Sequence, residues 1–306
     1  MSPGPAIAPS ATAIKSILFP VDFSASCAAA AGIVRRLASR HGSRVHILHV
    51  IPPSESLDGR VDPQEKELAY ERVIEFVKDH DLKTVRHGSS VEVGDVCEIA
   101  AAMVQQLDID LLVMGSHGRE GISKLVVGSV AEQVFRTVPC PVLTVGPHVP
   151  ARGHITLNSV VLATDFAQSS IASLQRARSF AWQDGAELLI VHAMDEVGLA
   201  TYGHADDMIR RAQAKILKWA DEVGEAKVRI TPVAAFGHAP DVICGVAAAN
   251  GSDLIVMGAR AFAHAKGASH TVGATAYKVT CMAPCPVLTI KCHSEVNHES
   301  KRFDVA

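Results

Sequence analysis

The chain has 306 residues, of which 48% are hydrophobic and 20% charged, with a formal net charge of −3. That length suggests two ordinary domains, each able to bury its own core, and the near-neutral balance excludes the concentrated basic face of a nucleic-acid-binding protein. No run approaches eighteen unbroken apolar residues, and Met1 to Thr12 has neither a charged start nor a long apolar stretch, so the reading is a loose tail on a soluble, cytoplasmic protein with no signal peptide or membrane span.

Along the chain, short β-rich runs alternate with helical patterns. Ile17 to Val21 reads as a strand, and Ser24 as the cap of a helix carrying Ala29, Ile33, Val34 and Leu37. Val45 to Ile51 is a second strand. Asp62 to Lys83, where Glu65, Lys66, Glu67, Glu71 and Arg72 interleave with Leu68, Val73 and Phe76, predicts a solvated amphipathic helix. Thr84 to Val93 is a third strand, followed by a helix capped by Asp95 and carrying Ile99, Ala102 and Met103. Leu111 to Met114 is the fourth strand, and Ser129 to Thr137 the last helix. Pro139 and Pro141 stop it before a fifth strand, Val142 to Val145, and Gly146-Pro147 through Asn158 reads as a linker. All strands but the third are nearly continuously apolar, the mark of a parallel sheet covered on both faces.

The whole pattern then repeats. One constant offset pairs Asp22 with Asp165, His49 with His192, Gly94 with Gly237, Asp110 with Asp253 and Gly115 with Gly258. Beyond the glycine turn the offset grows by two, pairing Gly128 with Gly273 and Cys140-Pro141-Val142-Leu143-Thr144 with Cys285-Pro286-Val287-Leu288-Thr289. The expected fold class is therefore α/β, as two repeated five-stranded parallel-sheet sandwiches, with domains at 13–147 and 156–292.

In an open parallel sheet, ligands gather outside the carboxyl ends of the strands where strand order reverses. Pro20-Val21-Asp22 closes the first strand and Met114-Gly115-Ser116-His117-Gly118-Arg119 the fourth. The Asp22 carboxylate suits a ribose hydroxyl or an adenine amino group. Gly115 and Gly118 let backbone amides approach phosphate oxygens, and Gly128-Ser129 opens a helix whose N-terminus favours anions. Ser129 adds a hydroxyl, and His117, Arg119 and Lys124 lie on or near the loop between, within reach of a terminal phosphate. In the second copy, Ala261 stands at the position of Gly118 and Ala274 at that of Ser129. Neither a P-loop nor a G-x-G-x-x-G fingerprint occurs.

Other candidates carry less. Seven cysteines, an odd number in apolar or helical segments, read as reduced thiols, with Cys140 and Cys285 buried as small hydrophobes. Cys281, Cys285, Cys292 and His293 lack a strong zinc spacing, and no protein-built metal site is assigned. Among fifteen histidines, His46 and His49 point to opposite faces of one strand and cannot chelate together; His49 and His192 read as structural. Gly121 to Leu125 fails as a nucleophile elbow, Asp110 and Asp253 read as turn residues, and no catalytic residue is assigned.

Taken together, Pro20-Val21-Asp22-Phe23-Ser24, His49-Val50, Gly94, Asp110 to Gly115, the G-x2-G-x9-G-S turn and Pro139-Cys140-Pro141-Val142 resemble the universal stress proteins, in both halves of the chain. The resemblance implies a Rossmann-like, adenine nucleotide alpha hydrolase-like fold in tandem, with an ATP-binding motif in the first half only. It places Pro20, Val21, Asp22 and Val50 against adenine and ribose, and Met114, Gly115, Gly118, Gly128, Ser129 and Val130 along the ribose and phosphates, which Mg2+ would accompany. In this family the apolar terminal strands pair at the sheet edge, so the halves are expected to dock as an intramolecular pseudo-dimer, with room for a homodimer of the whole chain. The function implied is a nucleotide-dependent stress-response or signalling module; slow ATP hydrolysis and a non-nucleotide-binding scaffold stay open.

Overall fold

The structure, a computed structural model, describes residues 13–53, 62–116, 129–149, 156–195, 204–224, 228–260 and 274–292. The first half runs β1 (Ser16–Pro20), α1 (Ala25–His41), β2 (Arg44–Ile51), α2 (Pro63–Asp79), a 3-10 turn (Leu82–Thr84), β3 (His87–Val93), α3 (Val96–Gln106), β4 (Leu111–Gly115), α4 (Ser129–Thr137) and β5 (Val142–Val145). The second repeats it as β6 (Ser159–Ala163), α5 (Ser169–Asp184), β7 (Glu187–Met194), α6 (Ala205–Val223), β8 (Ile230–Phe236), α7 (Ala239–Ala249), β9 (Leu254–Arg260), α8 (Ala274–Met282) and β10 (Val287–Cys292). All strands form one sheet of order β3-β2-β1-β4-β5-β10-β9-β6-β7-β8. Within each half every pairing is parallel, so the Rossmann-like α/β fold expected from the sequence is present twice.

Local signals act where the sequence put them. The Ser24 hydroxyl accepts from the Cys27 amide at 3.2 Å to start α1, and Gly42, at φ 65, ends it through its amide to the Ala38 carbonyl. Asp95 accepts from the amides of Cys97 and Glu98 to start α3. Two apolar faces are rotated from expectation. In α2 the buried residues are Ala69, Val73, Phe76 and Val77, while Leu68 is 59% exposed; stepping back four residues from Val73 lands on Ala69, not Leu68. In α3 they are Cys97, Ala100 and Val104, with Ile99 and Met103 at the margin and Ala102 exposed. The third strand also starts late. Asp81 turns left-handed at φ 54, and its carbonyl accepts from the Thr84 hydroxyl at 2.7 Å, so the segment spends a 3-10 turn burying Leu82 before extending.

Asp110 and Asp253 do more than shape their own turns. The Asp110 carboxylate accepts from the amides of Lys15 (2.7 Å) and Ser16 (3.0 Å), and Asp253 from those of Asn158 (2.7 Å) and Ser159 (3.2 Å). Each thus satisfies the first amides of the strand beside its own.

The halves meet where β5 and β10 pair antiparallel, Thr144 with Val287, Leu143 with Leu288 and Val142 with Thr289. Leu143 and Leu288 are repeat equivalents, so a pseudo-twofold axis passes between them. One face of the sheet carries a single core running through both halves, from Ile17 and Phe19 past Leu143 and Leu288 to Leu188 and Ile190. The opposite face has one cluster per half, and Tyr277 and Cys281 of α8 pack into that of the first. Across the axis, Arg36 of α1 donates to both carboxylate oxygens of Asp184 at 3.0 and 2.9 Å, and Arg40 joins it. No helix among the described residues is long and apolar enough to cross a membrane.

The Asp184 carboxylate is only 9% exposed and faces two arginines. Removing it leaves both cations poorly compensated, and Asp184→Ala is expected to cost about 1–3 kcal/mol, read as a lower urea midpoint at unchanged slope. Lys218→Ala, which breaks an exposed pair with Glu222, is expected to leave the midpoint almost unmoved.

Candidate functional site

Strand order reverses between β1 and β4: β2 and β3 lie to one side, β5 to the other. The carboxyl ends of β2, β1 and β4 therefore open a crevice of the kind in which α/β proteins hold ligands. Pro20 ends β1, Val21 donates its amide to the Leu48 carbonyl at 2.8 Å, and Asp22 follows. Val50, one residue before the end of β2, and Met114, one before the end of β4, pack against the same cluster beneath α3 and α4. Ser129 starts α4 and Val130 is 39% exposed beside it; the Val130 carbonyl accepts from the Cys97 thiol at 3.6 Å, joining the amino ends of α3 and α4. Pro20, Val21, Asp22, Val50, Met114, Gly115 and the start of α4 thus share one end of the sheet. His117, Gly118, Arg119, Lys124 and Gly128 lie outside the described residues.

Gly115 has a second reason to be glycine. A Cβ there would lie 2.5 Å from the Ser26 Oγ, 3.0 Å from the Cys27 nitrogen and 3.0 Å from the Ser26 carbonyl carbon. The amino end of α1 sits on it, and backbone cannot step aside. Its neighbour Ser116, which sequence reasoning passed over, is buried and donates its amide to the Val145 carbonyl at 2.9 Å.

The loop from β1 to α1 is held by a cluster that sequence reasoning also missed. Phe23 adopts φ 63, a left-handed conformation costing a bulky residue about 1–2 kcal/mol. Its ring packs on His49 (centroids 4.7 Å apart) and Phe76 (5.7 Å), with the Arg72 guanidinium 4.4 Å from its centre. His49 Nδ1 meets the Val21 carbonyl at 2.7 Å. Aromatic pairs add about 0.5–1.5 kcal/mol and a cation over a ring about 0.5–2, enough to offset the strain. The second half rebuilds the arrangement residue for residue: Phe166 at φ 60, His192 at 4.6 Å, Trp219 at 5.7 Å and Lys215 at 4.3 Å, with His192 Nδ1 on the Thr164 carbonyl at 2.9 Å. The repeat offset joining Phe23 to Phe166 was the available signal.

The two β–α loops match at the carboxylate. Asp22 Oδ1 accepts from the Ser24 amide at 2.9 Å, with the Cys27 side chain a further hydrogen-bond partner, and Asp165 Oδ1 accepts from the equivalent Ala167 amide at 3.0 Å and the equivalent Ser170 hydroxyl at 3.1 Å. Farther along, β4 ends at Gly115 opposite Val145, but β9 runs on past Gly258 to Arg260, paired with β10 up to Cys292.

The described thiols are unsuited to nucleophilic work. Burial, and then the Asp22 carboxylate, push the Cys27 thiol up to about 12; burial, then Asp95 and Glu98, push Cys97 up to about 11. Cys140 and Cys285 are buried, as expected, and both are pushed up to about 12 by burial first. Among the described residues no group of three or more His, Cys, Asp or Glu could hold a metal ion; His293 lies outside them.

A sequence profile described as Universal stress protein family matches residues 13–146 and again 156–291. A universal stress protein of Thermus aquaticus is 28% identical over 141 residues, covering 43% of this chain and 98% of its own length. One from Methanocaldococcus jannaschii is 26% identical over 153 residues, covering 43% and 94%. Among solved structures, a universal stress protein from Archaeoglobus fulgidus superposes with a TM-score of 0.67 at 19% identity, covering 92% of this chain and 97% of its own; that likeness is one of fold.

Gly115→Ala is expected to lower stability by about 1–3 kcal/mol, because the added methyl overpacks against α1; Val130→Ala, at an exposed position of the same crevice, stays within about 0.5 kcal/mol. Urea titration of both variants checks this. Native protein treated with iodoacetamide at pH 8 is expected to leave Cys27 unmodified until denaturant is added, read by peptide mass spectrometry.

Proposed function

The chain belongs to the universal stress protein family, and from that premise we propose that its first half binds ATP as a nucleotide-dependent signalling module while its second half does not. The observation that carries this reading is the convergence of Asp22, Val50, Met114 and the amino end of α4 at the carboxyl ends of β1, β2 and β4. In this reading the Asp22 carboxylate serves the ribose or adenine, the apolar side chains of Val50 and Met114 serve the base, and the amino end of α4, where the helix dipole favours anions, serves the phosphates. Mg2+ would accompany the phosphates as their counter-ion, partly neutralising their charge.

The second half is a poor match for the same ligand. Ala261 and Ala274 replace the glycine and serine of the turn, and β9 extends to Arg260 where β4 ends at Gly115. Losing a hydroxyl bond to a charged phosphate costs about 1.5–3 kcal/mol, which is at least tenfold in affinity. Binding that alters shape or partner affinity, rather than turnover, is the activity proposed.

Calorimetric titration with ATP and Mg2+ is expected to give one site per chain, and Gly118→Ala to weaken it at least tenfold. Two equivalent sites would overturn the assignment to the first half. Phosphate released above the Gly118→Ala background would mean hydrolysis, and failure to bind any adenine nucleotide would leave the scaffold reading standing.

A further inference from the structure

The ammonium of Lys291, on β10 of the second half, donates to the Val138 carbonyl at 2.7 Å. Val138 directly follows α4, and its own amide closes the last turn on the Val134 carbonyl at 3.0 Å. The carbonyl that Lys291 reaches is therefore one of the acceptors a helix leaves unpaired at its carboxyl end, where the helix dipole favours a cation. The opposite end of the same nine-residue helix is the amino terminus that faces the crevice, roughly 14 Å away at the rise of an α-helix.

The repeat makes this contact asymmetric. The position equivalent to Lys291 in the first half is Gly146, and the one equivalent to Val138 is Ala283. A Cβ on Gly146 would lie 3.1 Å from the Thr280 carbonyl oxygen and 3.9 Å from that of Ala283: the first half brings bare backbone to the end of α8 where the second brings a lysine to the end of α4. The capped helix belongs to the half that keeps the glycine turn, and the cap comes from the half that lost it.

We propose that Lys291 is a positioning residue through which the second half holds α4 of the first, fixing the helix amino end that receives the nucleotide phosphates. The binding role rests on the nucleotide reading given above; the capping role does not. Besides the Val138 carbonyl, the group acting on this ammonium is the Cys140 thiol, itself influenced by Asp110. Burial pulls the Lys291 ammonium down to about 8, while the thiol, at about 12, stays neutral in the same range. The Lys291 charge is present below about pH 8 and lost above it. Because the folded lysine gives up its proton before the unfolded one does, the fold gains stability between about pH 8 and the ordinary lysine range, while an anion at the far end of α4 loses a favourable cation.

Hydrogen exchange and ATP titration of the full chain test both roles. Lys291→Met is expected to speed exchange of the α4 amides at least tenfold with β1 and β6 unchanged, and to weaken ATP binding about three- to tenfold at pH 7. Wild-type affinity is expected to fall by a similar factor from pH 7 to 9.5, whereas Lys291→Met is flat and Lys291→Arg keeps wild-type affinity across the range. Wild-type protection of α4 in Lys291→Met overturns the capping role. Equal affinity and an equal pH profile in wild type and Lys291→Met overturn the coupling. A wild-type chain that binds no adenine nucleotide overturns the binding reading and the coupling with it, and the exchange data still decide the cap.

Discussion

Three antiparallel residue pairs centred on Leu143 and Leu288 set the arrangement of everything else. A parallel sheet is buried on both faces and leaves an apolar strand at each edge. Pairing β5 with β10 removes one such edge from each half, and Val142 to Val145 and Val287 to Ile290 become the buried middle of a ten-stranded sheet. The edges that remain are among the least buried strands: β3, with Gly88, Ser89, Ser90 and Glu92, buries only Val91, and β8 buries only Ala234 and carries Pro232, a residue that edge strands tolerate and central ones do not. The same joint brings α1 against α5 on one face, through Arg36, Arg40 and Asp184, and α8 against the cluster beneath α4 on the other.

Backbone strain next to the crevice is not itself the mark of a ligand site. Phe23 and Phe166 hold the same left-handed conformation within the same ring of histidine, aromatic and cation, although the sequences after β4 and β9 differ. The strain belongs to the way this fold leaves its first strand, and the packing around each ring offsets it. What distinguishes the halves lies downstream, where Gly118 and Ser129 of the first half are Ala261 and Ala274 in the second.

Much of this was legible in the sequence because it depends on local or repeated signals. Continuous apolar runs gave the parallel sheet, Ser24 and Asp95 gave two helix starts, Ser129 to Thr137 gave α4 with its observed bounds, and a constant offset gave the duplication. Helix phase was less legible. In α2 a leucine and an alanine are adjacent, and which turns inward depends on what Val73 and Phe76 pack against; hydrophobicity alone favoured Leu68, which is exposed. Gly115 was read for its approach to a ligand, yet the approach that excludes a Cβ is that of α1, a contact between segments far apart in sequence. Lys291 gave no signal at all, since nothing in a lone lysine on a terminal strand says that it reaches a carbonyl in the other repeat.

The pseudo-twofold axis carries one more implication. In a dimer of identical chains, whatever stands at one side of the axis must stand at the other, so a lysine reaching a helix end would be matched by a second lysine reaching its mate. Joining the two copies in one polypeptide lifts that condition: Lys291 and Gly146 occupy equivalent places and differ, as do Asp184 and His41. The tandem chain is in effect a heterodimer with fixed stoichiometry, in which each half is free to diverge so long as the Leu143–Leu288 seam stays intact.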